Sequence, residues 1–190
     1  MTIYQSMLEG GPYLAPDPEC GKRAAFVAEK LRAFNEISRH DRAARQSLLK
    51  EMLLSYEPGM IVGPLTLEYG HLVLEAGVYI NWDCMFVDNA RITLRKNVML
   101  GPRCLFVTAS HSLDPMQRAQ FDADGVSCGG KGFTAPITVE DHVWIGAHVT
   151  VLPGVTIGAR STIGAGSVVT PDVPSGVLAF GNPCRVQREI

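Results

Sequence analysis

No stretch of the 190-residue sequence approaches the ~18 consecutive apolar residues that a membrane helix needs. Met1–Leu14 carries no basic segment followed by an apolar one, so a secretory signal is not expected. Neither sign of charge is in large excess. The 17 basic and 19 acidic residues leave a net charge of −2, which gives no general attraction to nucleic acid or to an anionic membrane. The five cysteines are odd in number and show no close pairing, which suits reduced thiols in a cytoplasmic protein better than a disulfide framework. There is no P-loop, and no G-x-G-x-x-G at a strand–helix junction. The length fits one large domain or a domain with an appendage.

What the sequence does have is a period of six. Val139, Ile145, Val151, Ile157, Ile163 and Val169 are all β-branched aliphatics in phase. Four places after each of the first five stand Val143, Val149, Val155, Ser161 and Ser167, all small or β-branched. Gly146, Gly158 and Gly164 directly follow three of the aliphatics. Six is neither the 3.6 of a helix nor the 2 of an ordinary strand. It is the hexapeptide repeat of a parallel β-helix, in which three short strands close a triangular coil and the aliphatic points inward.

The rest of the chain arranges itself around this coil. Residues 1–15 read as a short mixed segment. Asp17 reads as an N-cap, with Pro18 at the first helical position and Glu19 in the first turn. This helix is expected to reach about Asn35 and to bury Ala24, Phe26, Val27 and Leu31 in part. A second is expected from near Ser38 to about Leu54, with Ala44, Leu48, Leu49, Met52 and Leu53 as its apolar stripe. The two form a cap over residues 1–57, and the coil domain takes 58–190.

From Leu74 the period runs through Ile80, Phe86 and Ile92, slips by two, and continues at Leu94, Leu100 and Phe106, with Cys84 and Cys104 at inward positions. A two-residue slip in a solenoid is a bulge at a corner. Between Phe106 and Val139, far more residues intervene than one hexapeptide needs, so a long loop over 110–135 leaves the coil. Such a loop, without structure of its own, is usually functional or disordered.

Inward positions are dry and cannot carry chemistry, so candidates come from corners, outer faces, loop, cap and tail. His111 begins the loop, and imidazole is the side chain best suited to take a proton near neutral pH; a solvent-exposed loop histidine is the alternative. His142 and His148 each stand three places after an inward aliphatic. Ligands on one face of such a coil lie about 18 residues apart. No third histidine is near, so no metal site is expected. Trp144 precedes Ile145 and therefore points outward, which suits an interface. Asn81 follows inward Ile80 and points outward as well.

Five stretches add a resemblance over almost the whole chain. Tyr13-Leu14-Ala15-Pro16-Asp17-Pro18-Glu19, Tyr79-Ile80-Asn81-Trp82-Asp83-Cys84, Thr108-Ala109-Ser110-His111-Ser112-Leu113-Asp114-Pro115, Val143-Trp144-Ile145-Gly146 and Gly181-Asn182-Pro183-Cys184-Arg185-Val186 follow one another as in the maltose/galactoside O-acetyltransferase family, nodulation-type members included. The chain resembles that family most specifically in the stretch around His111. The resemblance implies a mainly β fold, a left-handed parallel β-helix of hexapeptide repeats with a two-helix cap and a protruding loop, assembled as a homotrimer with sites between subunits. It implies acetyl-CoA as donor, His111 as general base, and Asp17, Tyr79, Asn81 and Asp88 as residues lining the acceptor pocket. Trp144, Ala147 and Ala165 match positions along the acetyl-CoA channel, and Thr170, Arg185 and Arg188 positions near its nucleotide end.

Two departures stand out. Pro171 replaces a lysine that often follows the threonine near the end of the coil. Lys131 occupies the place of a loop glutamate that helps orient the histidine; Asp122, Asp124 or a backbone carbonyl are the substitutes in view. The resemblance implies acetylation of a hydroxyl on a sugar or polyol, and the departures imply an acceptor that differs from those of better-known members. An amine or antibiotic acceptor, or a catalytically inactive trimeric scaffold, are the alternatives.

Overall fold

The structure, a computed structural model, describes residues 1–190. Its main body is a coil of parallel strands with three faces. Face one carries Ser55–Tyr56, Leu72–Leu74, Ile92–Leu94, Ile137–Val139 and Thr156–Ile157. Face two carries Met60–Ile61, Tyr79–Ile80, Met99–Leu100, Trp144–Ile145, Thr162–Ile163 and Val177–Gly181, and Cys184–Glu189 folds back antiparallel on the last of these. Face three carries Leu65–Leu67, Cys84–Val87, Leu105–Val107, Thr150–Val151 and Val168–Val169. The inward aliphatics sit directly over one another: Val139 on Ile157, Ile145 on Ile163, Val151 on Val169. Phe86 and Phe106 stack with ring centroids 5.2 Å apart. All of these inward side chains are buried.

The coil starts earlier than the sixfold period does. Its first turn uses Tyr56, Ile61 and Leu67, whose irregular spacing hides it in the sequence. Where the repeat is regular, the third place after most inward residues turns the corner with positive φ, at Asp83, Asn97, Arg103, His142, His148 and Arg160 and at several glycines. After glycine, Asn, Asp and His are the residues most often found in that region. His142 and His148 are thus corner residues, and no group of three or more His, Cys, Asp or Glu is placed to hold a metal.

All insertions into the repeat leave at one corner, from face three to face one. They are Glu68–His71, then Val87–Arg91, which contains the two-residue slip, then 108–136. Five of the eight buried polar residues lie here: His71, Asp88, Asn89, Thr108 and Thr134. The extra backbone at this corner needs partners, and four of these side chains supply them, while the Asn89 amide meets the Met7 sulfur. Asp88 accepts from the N–H groups of Glu68 and Tyr69 at 2.8 and 3.0 Å and of His71 at 2.8 Å. Thr108 Oγ1 donates to the Val87 carbonyl and accepts from Ala90 N–H. Residues 1–15, expected to be a short mixed segment, contain helix α1 (Ile3–Leu8), which covers the corner with fully buried Met7.

Helix α2 (Pro18–Glu36) begins as expected on an Asp17 cap. It buries Cys20, Val27 and Phe34, while Phe26, expected partly inside, is exposed under Arg23 and Lys30. Helix α3 (Arg42–Met52) starts later than expected, because Asp41, not Ser38, caps it through Ala44 N–H. Val27, Phe34, Leu49, Met52 and Leu53 join the coil in one apolar cluster. The Asn35 amide both donates to and accepts from Leu65, closing the first strand of face three as a peptide would.

His71 is fully buried. Its Nδ1 donates to the Asn89 carbonyl at 2.9 Å, and its Nε2 accepts from the Tyr4 hydroxyl at 2.7 Å. The ring is therefore neutral, and burial holds its pKa below the ordinary 6.5. A depressed folded-state value means that the unfolded chain binds the proton first as acid is added. The His71 contribution is complete above about pH 6.5 and is lost as pH falls through the folded-state value. Thermal unfolding followed across this range should show the midpoint dropping in acid, and His71→Gln should remove that part of the slope.

Candidate active site

His111 ends the strand Ala109–His111, at the root of the loop. The loop is not structureless as expected. It holds a short helix, Pro115–Arg118, and two further strands, Gln120–Phe121 and Ser127–Thr134. Ser127–Thr134 pairs antiparallel with Ala109–His111 on one side and with Pro12–Ala15 on the other. The register sets Gly132 opposite both His111 and Tyr13. Residues paired across strands project to the same side, so Tyr13 and His111 share one face with only a glycine between them. A Cβ at Gly132 would lie 2.3 to 2.6 Å from the Tyr13 ring and hydroxyl. The tyrosine thus lies over the glycine, toward the histidine.

The His111 ring is exposed, with Nδ1 3.4 Å from the carbonyl oxygen of Lys131. A carbonyl can only accept, so Nδ1 carries the proton and the Nε2 lone pair is free. The backbone of Lys131, not an acidic side chain, faces the ring. Tyr13 and Gly132 are not visible as site residues in the sequence. Tyr13 sits in an apparently mixed segment, Gly132 is one of several loop glycines, and only the three-strand pairing joins them.

A second set gathers on face two. Met60, Tyr79, Met99, Trp144, Thr162, Leu178 and Arg188 form one row in register, alternating with the inward stack. Trp144 is 55 % exposed, and Tyr79 is half-buried. Asn81 opens the next corner, its Oδ1 accepting from Trp82 N–H at 2.8 Å. Higher on this corner Ala147 N lies 2.7 Å from where a Gly101 Cβ would be, and Ala165 N 2.7 Å from where a Gly146 Cβ would be. The corner is therefore lined by small residues packed backbone to backbone.

The remaining candidates lie elsewhere. Asp17 Oδ1 accepts from the N–H groups of Glu19 and Cys20, both at 3.0 Å, and these bonds hold its carboxyl pKa below the usual range. Asp88 is wholly buried, its carboxylate taken up by three backbone N–H groups. Thr170 follows face three, on the same corner as the root of the His111 loop. One chain thus carries Asn81, Trp144, Ala147 and Ala165 along one edge and His111 and Thr170 along another.

Along this edge Trp144 offers an exposed apolar plane beside the small residues of the corner. The Arg185 and Arg188 guanidinium groups donate only to neighbouring backbone carbonyls and have no carboxylate within ion-pair distance, which leaves most of their donors unengaged.

Residues 136–171 match the bacterial transferase hexapeptide (six repeats), and residues 6–56 match the maltose acetyltransferase hexapeptide capping motif. A galactoside O-acetyltransferase of Lactococcus lactis is 35% identical over 94% of this chain and 83% of its own length. A maltose O-acetyltransferase from Clostridium difficile superposes with a TM-score of 0.90 at 33% identity, covering 100% of this chain and 98% of the other. A hexapeptide-repeat acetyltransferase from Vibrio cholerae, solved with acetyl-coenzyme A, gives 0.86 at 32%, with coverage of 100% and 98%. Coil and cap together define the hexapeptide-repeat transferases. Within that class the chain belongs to the maltose/galactoside O-acetyltransferase family.

The bonds at Asp17 make a separable test of its role. Asp17→Ala should lower the thermal midpoint, because two helix N–H groups lose their acceptor. Asp17→Asn, a competent cap, should restore most of the loss. A midpoint unchanged in the alanine variant would mean that the cap carries little stability.

Proposed function

We propose that the protein is an acetyl-CoA-dependent O-acetyltransferase acting on a hydroxyl of a sugar or related polyol. The observation that carries the reading is the His111 geometry: an exposed residue whose Nδ1 meets the Lys131 carbonyl and whose Nε2 has no partner in the chain. His111 Nε2 takes the hydroxyl proton as the oxygen attacks the thioester carbonyl, and a backbone N–H at the coil edge steadies the developing oxyanion. The imidazolium then returns the proton to the departing sulfur as the carbon–sulfur bond breaks. Asn81, Tyr79 and Asp17 position the acceptor. Trp144, Ala147 and Ala165 receive the pantetheine arm, and Thr170, Arg185 and Arg188 the nucleotide. Asp88 acts from behind, holding the corner from which the loop projects.

The two edges meet in a homotrimer, where the loop of one subunit closes on face two of the next. Two apolar surfaces support this. The loop exposes Leu113 at 96 % and Met116 at 75 %, and face two exposes Met60, Met99 and Trp144. Patches of this kind mark interaction surfaces. Light scattering should give three times the 20.6 kDa chain mass, and a 20.6 kDa particle at micromolar concentration would remove the shared site.

His111→Ala should lower kcat at least about 10²-fold, with acetyl-CoA affinity and thermal midpoint nearly unchanged. The ring is exposed and its loss opens no core cavity, so stability is spared. Release of CoA thiol measured over a panel of sugars, amines and antibiotics reads both the activity and the acceptor. A variant that kept more than about a tenth of wild-type kcat would dismiss His111 as the base.

A further inference from the structure

A cavity of about 450 Å³ lies between the two-helix cap and the first coil turn, and Met60 is the one member of the face-two row that lines it. Phe34, Arg39, His40, Arg42, Arg45 and Tyr56 are among its lining residues, and no aspartate or glutamate lines it. Arg45 is the unusual member. It is only 7 % exposed, yet no carboxylate lies within ion-pair distance of it, nor of Arg39 or Arg42. A buried charge without a counter-charge is costly unless something compensates it.

The protein compensates Arg45 on one side only. Its guanidinium lies over the Phe34 ring at 4.0 Å. Nη2 donates to the carbonyls of Ile61 at 3.2 Å and Val62 at 3.5 Å. A Cβ at Gly63 would come within 2.7 Å of Nη2, so the glycine makes room for the group. Nε and Nη1 have no acceptor in the protein. No fully buried side-chain nitrogen or oxygen lacks a partner, so these two donors face accessible space. Burial also lowers the Arg45 pKa, which marks the lack of a nearby negative charge.

We propose that this cavity is a binding site for a phosphate dianion, either inorganic or at the head of a phosphomonoester. Arg45 supplies a pre-set fork from the wall, and Arg39 and Arg42 close on the ion from the rim. Guanidinium matches phosphate oxygens in geometry and charge, and three such groups complement a dianion. The volume exceeds what a bare phosphate needs, which leaves room for the organic remainder of an ester. The site goes beyond the acetyl-transfer reading and does not rest on it.

The test is the thermal midpoint of the full chain, titrated with inorganic phosphate and separately with glucose 6-phosphate, at ionic strength held constant with sodium chloride. The wild type should show a saturable rise. In the Arg39→Ala/Arg42→Ala double variant the apparent dissociation constant should weaken at least about tenfold. Both residues are exposed, so the variant's midpoint without phosphate should match wild type. Arg185 and Arg188 are intact in both proteins, so phosphate binding at the nucleotide end cancels in the comparison. A stronger response to the ester identifies an organic phosphate as occupant, and an equal response identifies the inorganic ion; either supports the site. Identical titrations for wild type and variant would overturn it, as would a rise that chloride alone reproduces. A variant of altered oligomeric mass, with no phosphate response in wild type, would overturn it in favour of a carboxylate from a neighbouring subunit.

Discussion

Everything in this molecule depends on like stacking on like along the coil axis. Val139 rests on Ile157, Ile145 on Ile163 and Val151 on Val169, and each rung fixes the height and rotation of the next. β-branched side chains suit the task because they lose little rotamer freedom in an extended strand. The backbone between rungs is bonded to the rung above, so the faces have no freedom to slide. Outward residues inherit that order. Tyr79, Trp144 and Arg188 are distant in sequence but stand in one row because Ile80, Ile145 and Ala179 stand in the neighbouring one.

Such a coil tolerates irregularity only where its consequences can be contained. The corner from face three to face one takes every insertion, in growing lengths over three successive turns. The containment is polar: the side chains of Asp88, His71, Thr108 and Thr134 satisfy backbone groups around this corner, the Asn89 carbonyl among them. Helix α1 then seals the result with Met7. The arm that carries His111 is rooted on this buttressed corner, which is why a long excursion still presents its histidine in a defined place.

Much of this was legible in the residues, and the gaps have physical causes. The inward positions announce themselves because each needs the same shape in the same phase, and Asp17-Pro18-Glu19 announces a helix start because capping demands those types. The first coil turn hides because Tyr56, Ile61 and Leu67 are neither alike nor evenly spaced. Strand Pro12–Ala15 hides because its partner, Ser127–Thr134, lies more than a hundred residues away and is rich in glycine. Ser38 and Asp41 are both chemically able to cap a helix, and only the tight turn between them, with Asp41 N–H on the Ser38 carbonyl at 2.9 Å, decides for the second. No motif sets Arg45 apart in the sequence, because what encloses it, Phe34 and Gly63, comes from other elements.

The partner of His111 Nδ1 is the carbonyl of Lys131, a peptide atom rather than a side chain. Every amino acid at position 131 brings the same oxygen. Alanine scanning of the arm is therefore blind to the group that sets the ring's tautomer. What exposes it is a change to the backbone itself: an ester in place of the 131–132 amide would weaken that oxygen as an acceptor while leaving every side chain in place.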